Sequence, residues 1–265
     1  MHIVVCVKQI IDPEIPSAEF RIDFEARRAV EGQSKQVLNP YDGNALEVAL
    51  QLKDRHEETN VTVMTVGPES DQKVLRHALA MGCDDAIWLK DDGFDNLDSH
   101  GTAQVLARGI QKAGLPDIVL CGRQAGDWDM GQVGLRIGEA LGITCVSLAY
   151  NIEYDDGRLR LRRETDRGAE IVEAGLPLLA TITNDQSNQP RYSTVKGIMA
   201  AKRKEIPIWS AQELELDRDA IEPVVVVDEL VVPSYERQVM FIDGQDGSEK
   251  AIQLAEHLIK MNLFT

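Results

Sequence analysis

Large rings are scarce in this chain. Phe, Trp and Tyr make up 5% of its 265 residues, so few faces are available to stack on nucleic-acid bases. Positive charge is short as well. There are 28 Lys and Arg against 44 Asp and Glu, a formal net charge of −16. Such a surface repels nucleic-acid phosphates and anionic lipid headgroups, which argues against a nucleic-acid partner and suits partners with basic faces. Cysteines are few: Cys6, Cys83, Cys121 and Cys145. None lies in a C-x-x-C pair and the spacings fit no zinc or iron–sulfur pattern, so neither a disulfide framework nor a metal centre is expected, and a reducing compartment is. No apolar run approaches the ~18 residues of a membrane span. The apolar opening at 3–7 meets Lys8 too soon for a secretory leader. The expectation is a cytoplasmic protein that is not membrane-embedded.

Catalytic constellations are missing too. There is no G-x-S-x-G elbow, and the histidines at 2, 56, 77, 100 and 257 form no metal-ligand spacing. No Ser/His/Asp or Cys/His set suggests itself. These absences favour a binding or carrier protein over a hydrolase.

What the chain does have is alternation. With 43% hydrophobic and 27% charged residues its balance is globular. Short β-branched runs at 3–7, 61–66, 84–89 and 118–121 read as strands buried on both faces. Between them, apolar spacing predicts helices beginning at Pro40, with Asn39 as N-cap, and over 71–81, 99–113 and 132–141. Gly82, Gly114 and Gly142 stop the last three. Residues 12–32 read as an excursion or hairpin. After Tyr150 the pattern changes: 154–163 and 169–173 flank Asp166-Arg167-Gly168 as an antiparallel hairpin, followed by a strand at 178–183. Residues 209–247 read as an extended arm ending in a helix at 249–261. The fold class is therefore α/β: a doubly wound, mostly parallel Rossmann-like sheet with an antiparallel hairpin and an extended C-terminal arm. The expected division is a nucleotide-binding domain over 1–208 and an arm with its helix over 209–265.

Ligands of such sheets bind at the carboxyl ends of strands, near the point where strand order reverses. The loop from Cys121 to Gly134 follows a strand, opens a helix and carries Gly122, Gly126, Gly131 and Gly134. Its glycines let backbone N–H groups come close to a ligand, and a helix N-terminus is a seat for phosphate. It is neither G-x-G-x-x-G nor a P-loop, and a plain strand–helix connection is the bland reading. Lys8, after the first strand, either balances a phosphate or simply meets solvent. The basic run Lys202-Arg203-Lys204 and the arginines at 158, 160, 162, 163 and 167 read as solvated faces or as contacts for an acidic partner.

These loops resemble the β subunit of electron-transfer flavoproteins, the family that includes the FixA proteins. The resemblance rests on Val5-Cys6-Val7-Lys8-Gln9, Asn39-Pro40-Tyr41-Asp42, Ala78-Leu79-Ala80-Met81-Gly82 and the loop at 122–134. Its most specific part runs from Arg162-Arg163-Glu164-Thr165-Asp166 through Gln189-Pro190-Arg191-Tyr192 to Ile198-Met199 and Ala201-Lys202. The resemblance implies a heterodimer with an α subunit that holds most of a redox-active FAD, this chain covering one side of the flavin. It implies an electron carrier rather than an enzyme, passing electrons from a flavin dehydrogenase to a quinone oxidoreductase or other acceptor.

It also implies an adenine nucleotide in this chain, either AMP or, in the electron-bifurcating branch, a second FAD. Carried over, that site comprises Cys6, Asn39, Val66, Ala125, Asp129, Gly131, Gln132 and Val133, to which position adds Lys8 and Gly134. Tyr192, Val195, Ile198 and Met199 match the segment that docks acyl-CoA dehydrogenases, with Val195 smaller than the leucine common there. Trp128 and Met130 depart from bifurcating members, as does the excursion at 12–30. Gln132-Val133-Gly134 and Asn39-Pro40-Tyr41-Asp42 look like them. AMP is the leading expectation, with a second FAD and an NADH-dependent bifurcating role as the alternative. A stand-alone ATP-binding stress-type module is a third reading, against which the arm speaks.

Overall fold

The computed structural model describes residues 1–16, 19–30, 36–68, 72–232 and 239–263. The expectations that touch Gly32, Asp71 and Pro233 fall in part outside these residues. Two compact units are present, Met1–Asp228 and Glu229–Thr265.

The first unit begins with β1 (His2–Cys6), the short β2 (Gln9–Ile11), the β3–β4 hairpin (Arg21–Asp23, Arg28–Val30) and β5 (Gln36–Leu38). Strands and helices then alternate: α1 (Pro40–Arg55), β6 (Asn60–Val66), α2 (Gln72–Met81), β7 (Asp85–Leu89), α3 (Ser99–Lys112), β8 (Ile118–Gly122) and α4 (Val133–Leu141). Next come β9 (Thr144–Asp155), β10 (Arg158–Thr165), β11 (Gly168–Gly175), β12 (Leu178–Ile182), α5 (Val195–Arg203) and β13 (Ile208–Trp209).

Nine strands form one sheet in the order β11-β10-β9-β12-β8-β1-β6-β7-β13. From β9 to β13 every pair is parallel; β10 and β11 add an antiparallel edge. Period-two alternation sends successive side chains to opposite faces. Ile3, Val5 and Val7 therefore join a core with α1 and α2, while Val4 and Cys6 join a second core with α3 and α4. Both faces are covered, which explains why the central strands read as unbroken apolar runs.

The chain leaves β1 toward β6 and β7, then returns across it to build β8 on the other side. This reversal places the topological switch point between β1 and β8.

Four features depart from the sequence reading. A single strand expected at 154–163 is a hairpin: Asp156 and Gly157 turn the chain, both at positive φ. The first half of β9 pairs with β12 as a parallel core strand, and Leu148 at φ 58 shifts the register so that the second half pairs with β10. Residues 195–203, for which the sequence pattern predicts no element, form α5, capped by the Thr194 hydroxyl on the Gly197 N–H. At the far edge β13 pairs with β7, and Leu214 and Ile221 beyond it are buried in the α3 face.

The second unit holds α6 (Gly247–Lys260), whose Asp246 N-cap accepts from the Glu249 N–H. None of its residues is buried, and Ile252, Leu254 and Ile259 are exposed. No helix among the described residues is long and apolar enough to cross a membrane.

α4 sits so close to the sheet that a Cβ on Gly134 would stand 2.7 Å from the Thr181 methyl and 3.2 Å from Cys121 Cβ. Gly134→Val should lift α4 and cost about 1–3 kcal/mol, visible as a lower melting temperature. An unchanged melting temperature would show that α4 is not seated this tightly.

Candidate functional site

The crevice between the carboxyl ends of β1 and β8 is built by the first turn of α1. Asn39 stands at the N-cap position but does not cap with its side chain. Instead its amide reaches across the crevice. Nδ2 donates to the Gln124 carbonyl at 2.9 Å, and Oδ1 accepts from the Gly126 N–H at 3.2 Å. Its own N–H donates to the Lys8 carbonyl at 2.9 Å. Asn39 is 1% exposed, and between its side chain and its backbone N–H this one residue ties the loop after β8 to the loop after β1.

Asp42, three residues on, does the same from below. Oδ2 accepts from the Lys8 N–H at 2.8 Å and Oδ1 from the Gly122 N–H at 3.0 Å. Gly122 has no room for a Cβ, which would collide with this carboxyl and with Tyr41. Burial pushes the Asp42 carboxyl up to about 7, against the opposing pull of the Lys8 and Gly122 N–H groups.

The loop at 123–132 is folded on itself. The Asp129 N–H donates to the Ala125 carbonyl at 2.9 Å, and Gln124 Nε2 donates to Asp129 Oδ1 at 2.8 Å. Asp129 at φ 50 and Gly131 at φ 62 lie in the left-handed region, which favours glycine at 131 and tolerates Asp. Arg123 stacks on the Tyr41 ring at 4.7 Å and donates to its hydroxyl at 3.2 Å. The Arg123 Nε is buried without a hydrogen-bond partner among the described residues. The Lys8 ammonium pairs with Asp127 at 2.6 Å, so its charge is already met within the protein.

α4 opens directly out of this loop. Gln132 makes no side-chain cap; its Oε1 accepts from Arg136 Nε at 3.2 Å. The first N–H groups of a helix have no intrahelical partner, and with the partial positive charge of the helix end they suit an anion. The donors of Val133 and Gly134 are therefore presented at the end of the crevice.

The structure thus brings together Lys8, Asn39, Ala125 and Asp129, with Gly131, Gln132, Val133 and Gly134 following on the same connection. Gly134 is buried and serves close packing of α4. The Cys6 side chain points into the α3–α4 core beside Cys121, its partner in register. The Cys6 thiol and burial hold the Cys121 thiol well above its ordinary range, so both cysteines act as small apolar packing groups. Val66 ends β6, on the side of β1 away from β8. Asp42, Arg123 and Asp127 were not singled out by sequence reasoning as site residues. The Asn-Pro-Tyr-Asp string carried a signal for Asp42, since an acid in a first helical turn beside a strand end has N–H groups within reach.

The second candidate surface lies on α5 and the residues before it, beside α2. Tyr192 is 97% and Val195 77% exposed, and Ile198 and Met199 are exposed as well. Positions 195, 198 and 199 share one face of α5, while Ala201 is buried against the body. The arginines of β10 divide. Arg163 donates to the Ser147 carbonyl at 3.0 Å and pairs with Glu170, whereas Arg160 lies in register between Glu153 and Glu173 on an exposed face. Lys204 pairs with Asp85 at 2.8 Å. Among the described residues, no group of three or more His, Cys, Asp or Glu is placed to hold a metal ion.

Comparison with known proteins decides the family. The electron transfer flavoprotein domain matches residues 28–214. The chain belongs to the electron transfer flavoprotein family. Among relatives, it is 35% identical to the electron transfer flavoprotein subunit beta of Megasphaera elsdenii, over 99% of this chain and 100% of that one. It is 40% identical to the subunit beta of Clostridium acetobutylicum, over 82% of each. It is 39% identical to the caffeyl-CoA reductase-Etf complex subunit CarD of Acetobacterium woodii, over 83% of this chain and 82% of that one. An electron-transfer flavoprotein β subunit is an electron carrier that pairs with an α subunit and is associated with flavin.

The buried Asp42 gives a pH test. Burial raises its pKa from 3.8 to about 7 in the folded chain. A raised acid stabilises the fold fully below the unfolded value and loses that contribution as pH climbs through the folded one. Asp42→Asn carries no such proton. Between about pH 5 and pH 8 its stability should rise relative to the wild type by about 1–3 kcal/mol, read from thermal melts. A difference constant across that range would mean that Asp42 is ionised throughout.

Proposed function

We propose that this chain is the β subunit of a heterodimeric carrier that takes electrons from flavin dehydrogenases of the acyl-CoA dehydrogenase type. It passes them through FAD to a quinone oxidoreductase or other acceptor. The α subunit holds most of that FAD, and this chain walls in one side of it. The redox chemistry belongs to the bound flavin, which exchanges electrons with the partners. This chain's residues position, exclude water and dock.

We further propose AMP in the crevice between β1 and β8, held in the cytoplasmic protein as a structural nucleotide. The observation that carries this reading is the cradle itself: an α4 N-terminus with no side-chain cap, opened by Gly131 at φ 62 and anchored by Asn39. The donor set fits a phosphate. The first N–H groups of α4, those of Val133 and Gly134, have no intrahelical partner, and Gln132 lies beside them. Lys8 reaches an anion there only by leaving Asp127. The base would lie over the ends of β1 and β6, near Cys6 and Val66. Residues 209–221, expected as part of an arm on the α subunit, pack instead on β7 and α3 of this chain; the second unit, with its exposed apolar α6, is proposed to pack on the α subunit.

A second reading puts a second FAD in the same crevice and assigns the chain to an NADH-dependent electron-bifurcating complex. The relative named as a subunit of a caffeyl-CoA reductase-Etf complex favours it. Extraction of the purified heterodimer separates the two. AMP with one FAD supports the carrier; two FAD without AMP supports the bifurcating complex; absence of flavin overturns both. Gly131→Val forces a branched residue into the left-handed region. It should lower AMP content by more than half while FAD stays, and full AMP retention would refute the loop as the nucleotide seat.

A further inference from the structure

Resting on the reading that residues 192–199 dock a flavin dehydrogenase, we propose that Arg191 is the positioning residue of that docking surface. It locks the segment onto α1, so that Tyr192 and Val195 meet the partner already in place.

The geometry is that of a clamp. Arg191 Nε donates to Glu47 Oε2 at 2.8 Å and Nη2 to Glu47 Oε1 at 3.0 Å. The Arg191 N–H adds a third bond to Oε2 at 3.1 Å, and Nη2 also reaches Asp54 at 2.8 Å. The Glu47 side chain is only 7% exposed. A buried carboxylate needs a partner for each oxygen, and the planar fork of an arginine supplies both at once. The bond therefore fixes the orientation of residue 191 and not merely its location.

The neighbouring contacts hold the rest of the segment down. Asn188, fully buried, donates to the Tyr150 and Thr183 carbonyls at 2.9 Å and accepts from Asn44 on α1. Gln51 donates to the Ser187 carbonyl at 2.7 Å. Beyond the exposed stretch, Arg76 on α2 holds the Ala201 and Lys204 carbonyls, and Gly197 lies against the Ala80 carbonyl with no space for a Cβ. Tyr192 and Val195 thus project from a span fastened on both sides. Ordering a loose segment at the moment of docking costs affinity, and a pre-formed one avoids that cost.

The test uses the heterodimer purified with its α subunit and butyryl-CoA dehydrogenase, reduced by butyryl-CoA, as the electron donor. Arg191→Ala should raise the half-saturating concentration of the heterodimer about tenfold, with maximal rate, FAD content and nucleotide content unchanged. Arg191→Lys, which cannot form the fork, should raise it about threefold. An unchanged half-saturating concentration in both variants overturns the proposal. So does a rise that comes with loss of FAD or nucleotide, which would mark a merely structural role. If Arg191→Ala does not yield folded heterodimer, Arg191→Lys decides: a rise supports the clamp and a wild-type value refutes it. Val195→Asp in the same assay separates the two layers. A rise there with wild-type behaviour in the Arg191 variants refutes the clamp alone. Wild-type behaviour of Val195→Asp refutes the docking surface, and the clamp with it.

Discussion

The contacts made by the first turn of α1 across the ends of β1 and β8 are what the rest of the site depends on. At a switch point the two strands send their chains apart, so no backbone ladder continues between them. The N–H groups of Lys8, Gly122 and Gly126 would otherwise lack acceptors in a half-buried place, and an unmet buried donor is costly. Asp42 takes the first two and Asn39 the third. Two short side chains, on neighbouring positions of one turn, thereby set the width of the crevice. The cost falls on Asp42, whose carboxyl is pushed to about 7 by its burial.

Helix α1 is tied to both candidate surfaces. Its first turn holds the crevice, and its later turns hold the segment 187–191 through Asn44, Glu47, Gln51 and Asp54. This explains why α1 buries polar and charged residues that a plain core helix would exclude. Asp42, Asn44 and Glu47 are all buried and all bonded to backbone or side-chain groups of distant segments. One helix thus bonds both the crevice and the segment leading into α5.

Much of the sheet was legible because both of its faces are covered. Runs such as Ile3-Val4-Val5 and Val119-Leu120-Cys121 carry apolar residues at every position, and only a doubly covered strand uses that pattern. Helix stops were legible where Gly82 and Gly142 take positive φ. The segment at 195–203 was not, because only Ala201 is buried and the exposed apolar residues of α5 give no core-facing stripe. The Thr194 cap was the available sign. The parallel half of β9 was hidden for another reason: Leu148 at φ 58 breaks its alternation midway, and only pairing with β12 reveals that one strand serves two partners.

By itself the sequence determined the α/β class, the order of the central elements and the strand–helix loop where a phosphate could sit, since these follow from local periodicity and glycine placement. It also determined the family. Tertiary structure alone decided that Asn39 bridges the crevice instead of capping its helix, that Lys8 is paired with Asp127, and that Arg191 is locked to Glu47. Each of those contacts joins residues 85 to 144 positions apart. A side chain's choice between the nearest N–H group and a distant one is made by packing, which local sequence does not encode.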